Sequence, residues 1–194
     1  VVETVGPGVR KFAPGDRVIG SFFESWLSGE PSEEKMRTSL GGAVDGVLAE
    51  FRIFPAHALV KTPEHLSDVE AAALPCAGLT AWSAVVKLGA IKPGQTVLTQ
   101  GTGGVSLFAL QFAKMCGARV IATSSSEAKI EKLKALGADV TGVDISGAQV
   151  ERACQYVPRA RFIHADVMAL AFRPGSFAAI VMVYTLFHLP RAEQ

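Results

Sequence analysis

Three glycines in the stretch TVLTQGTGGVSLFALQFAKMCGARVIATSSS, residues 96–126, have the spacing of a phosphate-binding turn. Gly101, Gly103 and Gly104 follow an apolar strand candidate at 96–100. An apolar segment of helical length comes next, ending at Gly117, and a second strand candidate lies at 119–123. That order predicts a βαβ unit. At such a turn backbone N–H groups approach a pyrophosphate and the positive end of a helix faces it, where any Cβ would collide. The turn formed by Gly101, Thr102, Gly103, Gly104, Val105 and Ser106 is therefore the candidate dinucleotide site. Ser106 stands where the fingerprint has its third glycine, and it is small enough to let helix and strand pack fairly closely. A tight strand-to-helix turn with no ligand is the competing explanation.

The end of the second strand decides which dinucleotide is expected. An NAD site carries an acid about 20 residues after the first glycine, to bind the ribose hydroxyls. This chain has Thr123, Ser124, Ser125 and Ser126 there, with Lys129 a turn later. Hydroxyl donors beside a cation suit a 2'-phosphate, so NADP is expected in preference to NAD. Ser124 and Glu127 also have the spacing of a capping box, and the serines can serve either purpose or both.

The elements that must position these residues need a substantial core. The 194 residues suffice for one large or two small domains, with 49% apolar residues and a net charge of +1. No run of like charge suggests a nucleic-acid surface. The longest apolar run, 177–189, is too short to span a bilayer and contains Thr185 and His188. Cys76, Cys116 and Cys154 are odd in number and widely spaced, which favours neither a disulfide framework nor a structural zinc site. A cytoplasmic protein acting on a small molecule is the resulting expectation, with a homo-oligomer left open. The chain opens on Val1 in mid-pattern and stops at Gln194 just after an apolar strand, so it reads as a fragment.

Residues 1–62 are rich in β-formers and turn signals, with strand candidates at 1–5, 17–22, 46–55 and 58–61 and a helical turn near 33–37. They read as a partial β module, followed by a nucleotide-binding domain over 63–194. Ser67 and Glu70 form a capping box before an alanine-rich helical stretch, and Pro75 predicts a division into helices at 68–74 and 78–88. A helix over 127–136 presents Ile130, Leu133 and Leu136 on one face and stops at Gly137.

The segments GPGVRKFAPGDRV, DGVLAEF, HLSDVEAAALPCAGLTAW, KPGQTVLTQGTGGVSLFALQFAK and GARVIATSSSEAKIEKLKALGAD together resemble the medium-chain dehydrogenase/reductase family, in its quinone-reductase-like or alcohol-dehydrogenase-like branches, over residues 1–140. The resemblance implies a GroES-like module, a Rossmann-type domain and hydride transfer with NADPH. It places Thr80 near the nicotinamide, although an ordinary helix-face threonine accounts for that residue as well. Zinc members of the family need cysteine and histidine ligands, of which only Cys76 has a counterpart here, so no metal site is expected. No catalytic acid or base is assigned, because no His, Tyr or Lys is placed against a substrate.

Residues 141–194 are similar to the middle of a class I S-adenosylmethionine-dependent methyltransferase, through strand-end Asp144, strand-end Asp166 and Tyr184 with His188-Leu189-Pro190. That resemblance implies that Asp144 accepts from ribose hydroxyls and that Asp166 faces the adenine amino group. S-adenosylmethionine is thus the alternative cofactor and a methyltransferase the alternative activity. The serines at 124–126 stand where such an enzyme needs glycines. His164 and His188 have no metal-ligand spacing. A chimaera joined near 137–143 accommodates both resemblances, and an inactive, self-associating fusion is the non-enzymatic reading.

The expected fold is α/β: a Rossmann-type parallel sheet with helices on both faces, preceded by a truncated GroES-like β module. Strands are expected at 96–100, 119–123, 139–143, 161–165 and 178–183. The first three should lie in the order 3-2-1, the fourth beyond the third, and the fifth on the other side of the first. Phe162, Ile163, Ile180, Val181 and Val183 are the expected core of the later strands.

Overall fold

The computed structural model describes residues 1–124, 127–144, 146–156, 161–165 and 173–182. The chain divides into two compact units, Val1–Cys76 and Ala77–Gln194.

In the first unit, β1 (Val18–Gly20) pairs antiparallel with β2 (Leu59–Lys61), Val18 opposite Lys61 and Gly20 opposite Leu59. A short helix α1 (Glu33–Met36) is capped by Ser32, whose hydroxyl accepts from the Lys35 N–H. Helix α2 (Asp68–Ala72) has the full capping box: Glu70 N–H donates to the Ser67 hydroxyl, and the Ser67 N–H donates back to the Glu70 carboxylate. Arg17 joins this helix to β1, donating to the Leu66 carbonyl and to the Asp68 carboxylate.

Two expected strands do not form here. Residues 1–5 and 46–55 carry the right residue types but join no ladder; in the first, Val2 bonds instead to the 15–16 turn, its N–H donating to the Asp16 carbonyl and its carbonyl accepting from the Gly15 N–H. Side chains hold the second of these segments in place. Arg52 forks to the Asp45 and Gly46 carbonyls and pairs with Glu24, with its guanidinium over the Phe54 ring.

Ala77–Gln194 contains the sheet. Helix α3 (Leu79–Trp82) is flanked by wider, π-type turns at Leu74–Gly78 and Ser83–Leu88. Pro75 therefore divides the alanine-rich stretch by starting the second helical run. Its missing N–H is harmless there, because first-turn donors have no intrahelical partner.

Then follow β3 (Thr96–Gln100), α4 (Gly104–Met115), β4 (Arg119–Thr123), α5 (Glu127–Ala135), β5 (Asp139–Asp144), α6 (Gly147–Tyr156), β6 (Arg161–His164) and β7 (Ala179–Met182). Among the described residues these five strands are parallel, in the order β6-β5-β4-β3-β7. This is the expected order, including the fourth strand beyond the third and the return to the far side of the first.

The core lies on the sheet face that carries α4 and α5. There Val97, Val120, Ala122, Val140 and Val181 meet Leu110 and Ala113 of α4 and Ile130 and Leu133 of α5. Strand alternation sends Leu98, Ile121, Ile163 and Ile180 to the opposite face. This corrects the core expectation. Val181 is buried and Phe162 packs against the core, whereas Ile163 is 40% and Ile180 56% exposed, because they fall on the other parity of the two outer strands, β6 and β7. Val183 lies outside the described residues.

Candidate nucleotide-binding site

Parallel strands bring all their carboxyl ends to one edge. That edge gathers Gln100 and the glycine turn, Thr123 with Ser124, Asp144 and His164. The chain steps outward from β3 through β4 and β5 to β6 and then returns to β7 on the other side of β3. The crevice of this topological switch point therefore lies at the end of β3, where open α/β sheets bind ligands.

Each residue of the turn has a distinct part. Gly101 sits at φ +80°, a conformation that L side chains rarely adopt, and its N–H donates to the Thr123 carbonyl, tying the ends of β3 and β4 together. It thus supplies shape rather than a phosphate donor. Gly103 is the N-cap of α4 and offers no side-chain cap. The first N–H to enter the helix ladder is that of Leu107, which donates to the Gly103 carbonyl, so those of Gly104, Val105 and Ser106 precede the ladder at the positive end of a 12-residue helix. A Cβ built on Gly101 or Gly103 would meet nothing within 4 Å, so the space above the turn is open. At Gly104 a Cβ would come within 3.3 Å of the Ala77 Cβ, so the helix start is packed closely from behind.

Ser106 is 2% exposed, and its hydroxyl donates to the Gln100 carbonyl at 2.9 Å. In place of the third glycine, this helix start has a hydroxyl that anchors its first turn to the end of β3. The Ser106 side chain is therefore a structural member of the turn rather than a contact for phosphate.

The proposed 2'-phosphate group of residues separates. Thr123 and Ser124 are each 8% exposed, and the Ser124 side chain or backbone is already engaged. Burial at the strand end turns them from surface donors into part of the packing. Ser125 and Ser126 lie outside the described residues, and so does the side chain of Glu127, on which the capping box depends. Lys129 is exposed on the first turn of α5 and remains a cation near this edge. Asp144 closes β5 opposite His164. Asp166 and His188 lie outside the described residues. Thr80 is exposed on α3.

Two polar side chains of β3 escape attention in the sequence. Thr99 is fully buried and Gln100 is 3% exposed, and neither Thr99 Oγ1 nor Gln100 Oε1 has a hydrogen-bond partner. A buried polar atom left unpaired costs about 1–3 kcal/mol. The available signal was a polar pair, Thr-Gln, ending an otherwise apolar central strand.

Among the described residues no group of three or more His, Cys, Asp or Glu could hold a metal ion, and Cys76 is exposed.

Comparison with known proteins agrees with this geometry. The family description "Alcohol dehydrogenase GroES-like domain" matches residues 1–64, and "Zinc-binding dehydrogenase" matches residues 104–157. A zinc-type alcohol dehydrogenase-like protein of Schizosaccharomyces pombe is 48% identical over 143 residues, covering 73% of this chain and 41% of that protein. An alcohol dehydrogenase of Geobacillus stearothermophilus is 40% identical over 147 residues, covering 72% and 43%. The crystal structure of a putative alcohol dehydrogenase from Sinorhizobium meliloti superposes with a TM-score of 0.69 at 46% identity, over 81% of this chain and 47% of that one.

The chain thus spans less than half the length of these relatives. The dehydrogenase match crosses the junction expected at 137–143 and continues through α6, so the change of family expected from residue 141 has no support up to 157. Over the two matched stretches, 1–64 and 104–157, the chain belongs to the medium-chain dehydrogenase/reductase family, with a GroES-like and a zinc-binding-dehydrogenase domain of the alcohol dehydrogenase-like kind.

Proposed function

We propose that this chain carries the nucleotide-binding part of an NADP-dependent oxidoreductase that transfers hydride between the nicotinamide and a small alcohol, quinone or enone. The observation that supports it is the uncapped N-terminus of α4 beneath an open glycine turn at the switch point of the sheet. The N–H groups of Gly104, Val105 and Ser106 bind the pyrophosphate. Gly101 shapes the turn, Ser106 fixes its helix end, and Lys129 attracts the 2'-phosphate, assisted by Ser125 and Ser126. The nicotinamide, when bound, supplies the hydride chemistry. The chain's own contribution is binding and orientation.

Titration of NADPH, followed by its fluorescence, tests this reading. Saturable binding at micromolar concentration is expected. Lys129→Ala should weaken NADPH about tenfold and leave NADH unchanged, as the loss of one charge-assisted contact of roughly 1.4 kcal/mol would do. Absence of saturable binding at high micromolar concentration would refute the proposal.

One observation favours a second reading. β6 extends the sheet beyond β5, the place expected from the methyltransferase resemblance, and Asp144 ends the strand that such an enzyme would use for ribose. Calorimetry with S-adenosylhomocysteine decides between the two, since heat abolished by Asp144→Ala supports this alternative and absence of heat removes it.

A further inference from the structure

We propose that Gln100 is a positioning residue for the bound dinucleotide, its Oε1 accepting a hydrogen bond from the nicotinamide-side half. The inference rests on the nucleotide reading above and adds a role for a residue outside the glycine turn.

Gln100 is the last residue of β3, the strand at the switch point, with Thr123 of β4 and Met182 of β7 in register on its two sides. The residue is 3% exposed, and Oε1 is buried without a partner. A group in that condition is open to a donor from outside the chain, and two donors at this strand end are already used elsewhere. The Ser106 hydroxyl donates to the main-chain carbonyl of Gln100, and the Gly101 N–H donates to the Thr123 carbonyl.

The chemistry of the missing donor follows from what else the turn binds. Phosphate oxygens accept, so they suit the N–H groups of α4 and cannot satisfy Oε1. Ribose hydroxyls and the carboxamide N–H₂ donate. Strand alternation gives the direction: Val97 and Thr99 lie on the face that carries α4, so Gln100 lies on the other. Lys129, on α5, marks the side of β4 for the adenosine half. A dinucleotide whose pyrophosphate rests on α4 then crosses the end of β3 with its nicotinamide half, and passes Gln100.

The experiment uses the full chain, with NADPH and adenosine 2',5'-bisphosphate as probes and Gln100→Leu as the variant. NADPH affinity should fall about tenfold, as for the loss of one buried hydrogen bond. The bisphosphate, which lacks the nicotinamide half, should bind as before. The thermal midpoint without ligand should hold or rise, because an unpaired buried polar atom has been removed. Unchanged NADPH affinity, equal losses for both probes, or a fall of several degrees in the unliganded midpoint would each overturn the role. Wild-type protein that binds neither probe would overturn the nucleotide reading and this inference with it. Wild-type protein that binds both, beside a variant that does the same, would overturn this inference alone.

Discussion

The two compact units use similar residues to different effect. In Ala77–Gln194 every described strand has a ladder partner, and Val97, Leu98 and Leu110 are at most 1% exposed. In Val1–Cys76 the segment 46–55 carries the same kind of residues, yet Leu48 and Ile53 are almost wholly exposed and the described pairing is limited to β1 with β2 and isolated bridges. Residue type says what a segment can become. A partner for its backbone groups decides whether it does, because an apolar strand gains little until something covers it.

The largest expected effect tests that contrast directly. Leu110→Ala, in the core between α4 and the sheet, should cost about 3 kcal/mol in urea unfolding. Leu48→Ser should change stability by less than about 0.5 kcal/mol, since its side chain is already in water. Trp26 and Trp82 lie one in each unit, so Trp26→Phe and Trp82→Phe backgrounds report on the two separately by fluorescence. Equal losses from both substitutions would refute the contrast.

A smaller effect is expected where each unit fixes a helix start. Ser106→Ala removes the hydroxyl that holds the Gln100 carbonyl and should cost about 1 kcal/mol. Ser67→Ala removes half a capping box and should cost about the same. The two losses should appear in the Trp82 and Trp26 signals respectively. The substitution at Ser106 should also weaken NADPH, whereas that at Ser67 should not.

Much of the second unit was legible in the sequence. The glycines at 101, 103 and 104 punctuate a strand and a helix, and apolar runs of strand length recur after 119, 139, 161 and 179, which with right-handed crossovers leaves few strand orders. The role of Ser106 was not legible, because a serine in that place suggests only a small residue, and its use depends on where the Gln100 carbonyl arrives. The burial of Thr123 and Ser124 was hidden for a related reason: hydroxyls at a strand end read as surface donors until the neighbouring strand and helix enclose them. The exposure of Ile163 and Ile180 was not legible either, because apolar content states neither the parity of a residue nor that its strand lies at the outside of the sheet. In the first unit the capping box at Ser67 was readable as a local motif, while the strands at 1–5 and 46–55 depended on pairing that no local pattern states.

The smallest expected effect is acid sensitivity of the first unit. Asp16 is held below its ordinary value of 3.8, first by the Ala13 N–H and then by Lys61. Glu70 is held below 4.5, first by the Ser67 hydroxyl and then by the Ser67 N–H. Both carboxylates bind protons more weakly folded than unfolded. Their contribution is therefore complete above the ordinary values, and declines as the pH falls from about 4.5 through the lowered folded values. In a Trp82→Phe background, the Trp26 signal should show the urea midpoint falling over that window. Glu70→Gln keeps the geometry of the capping box without its titration, and it should flatten part of that fall. An unchanged pH profile in the glutamine variant would show that the capping carboxylate is not what links this helix start to pH.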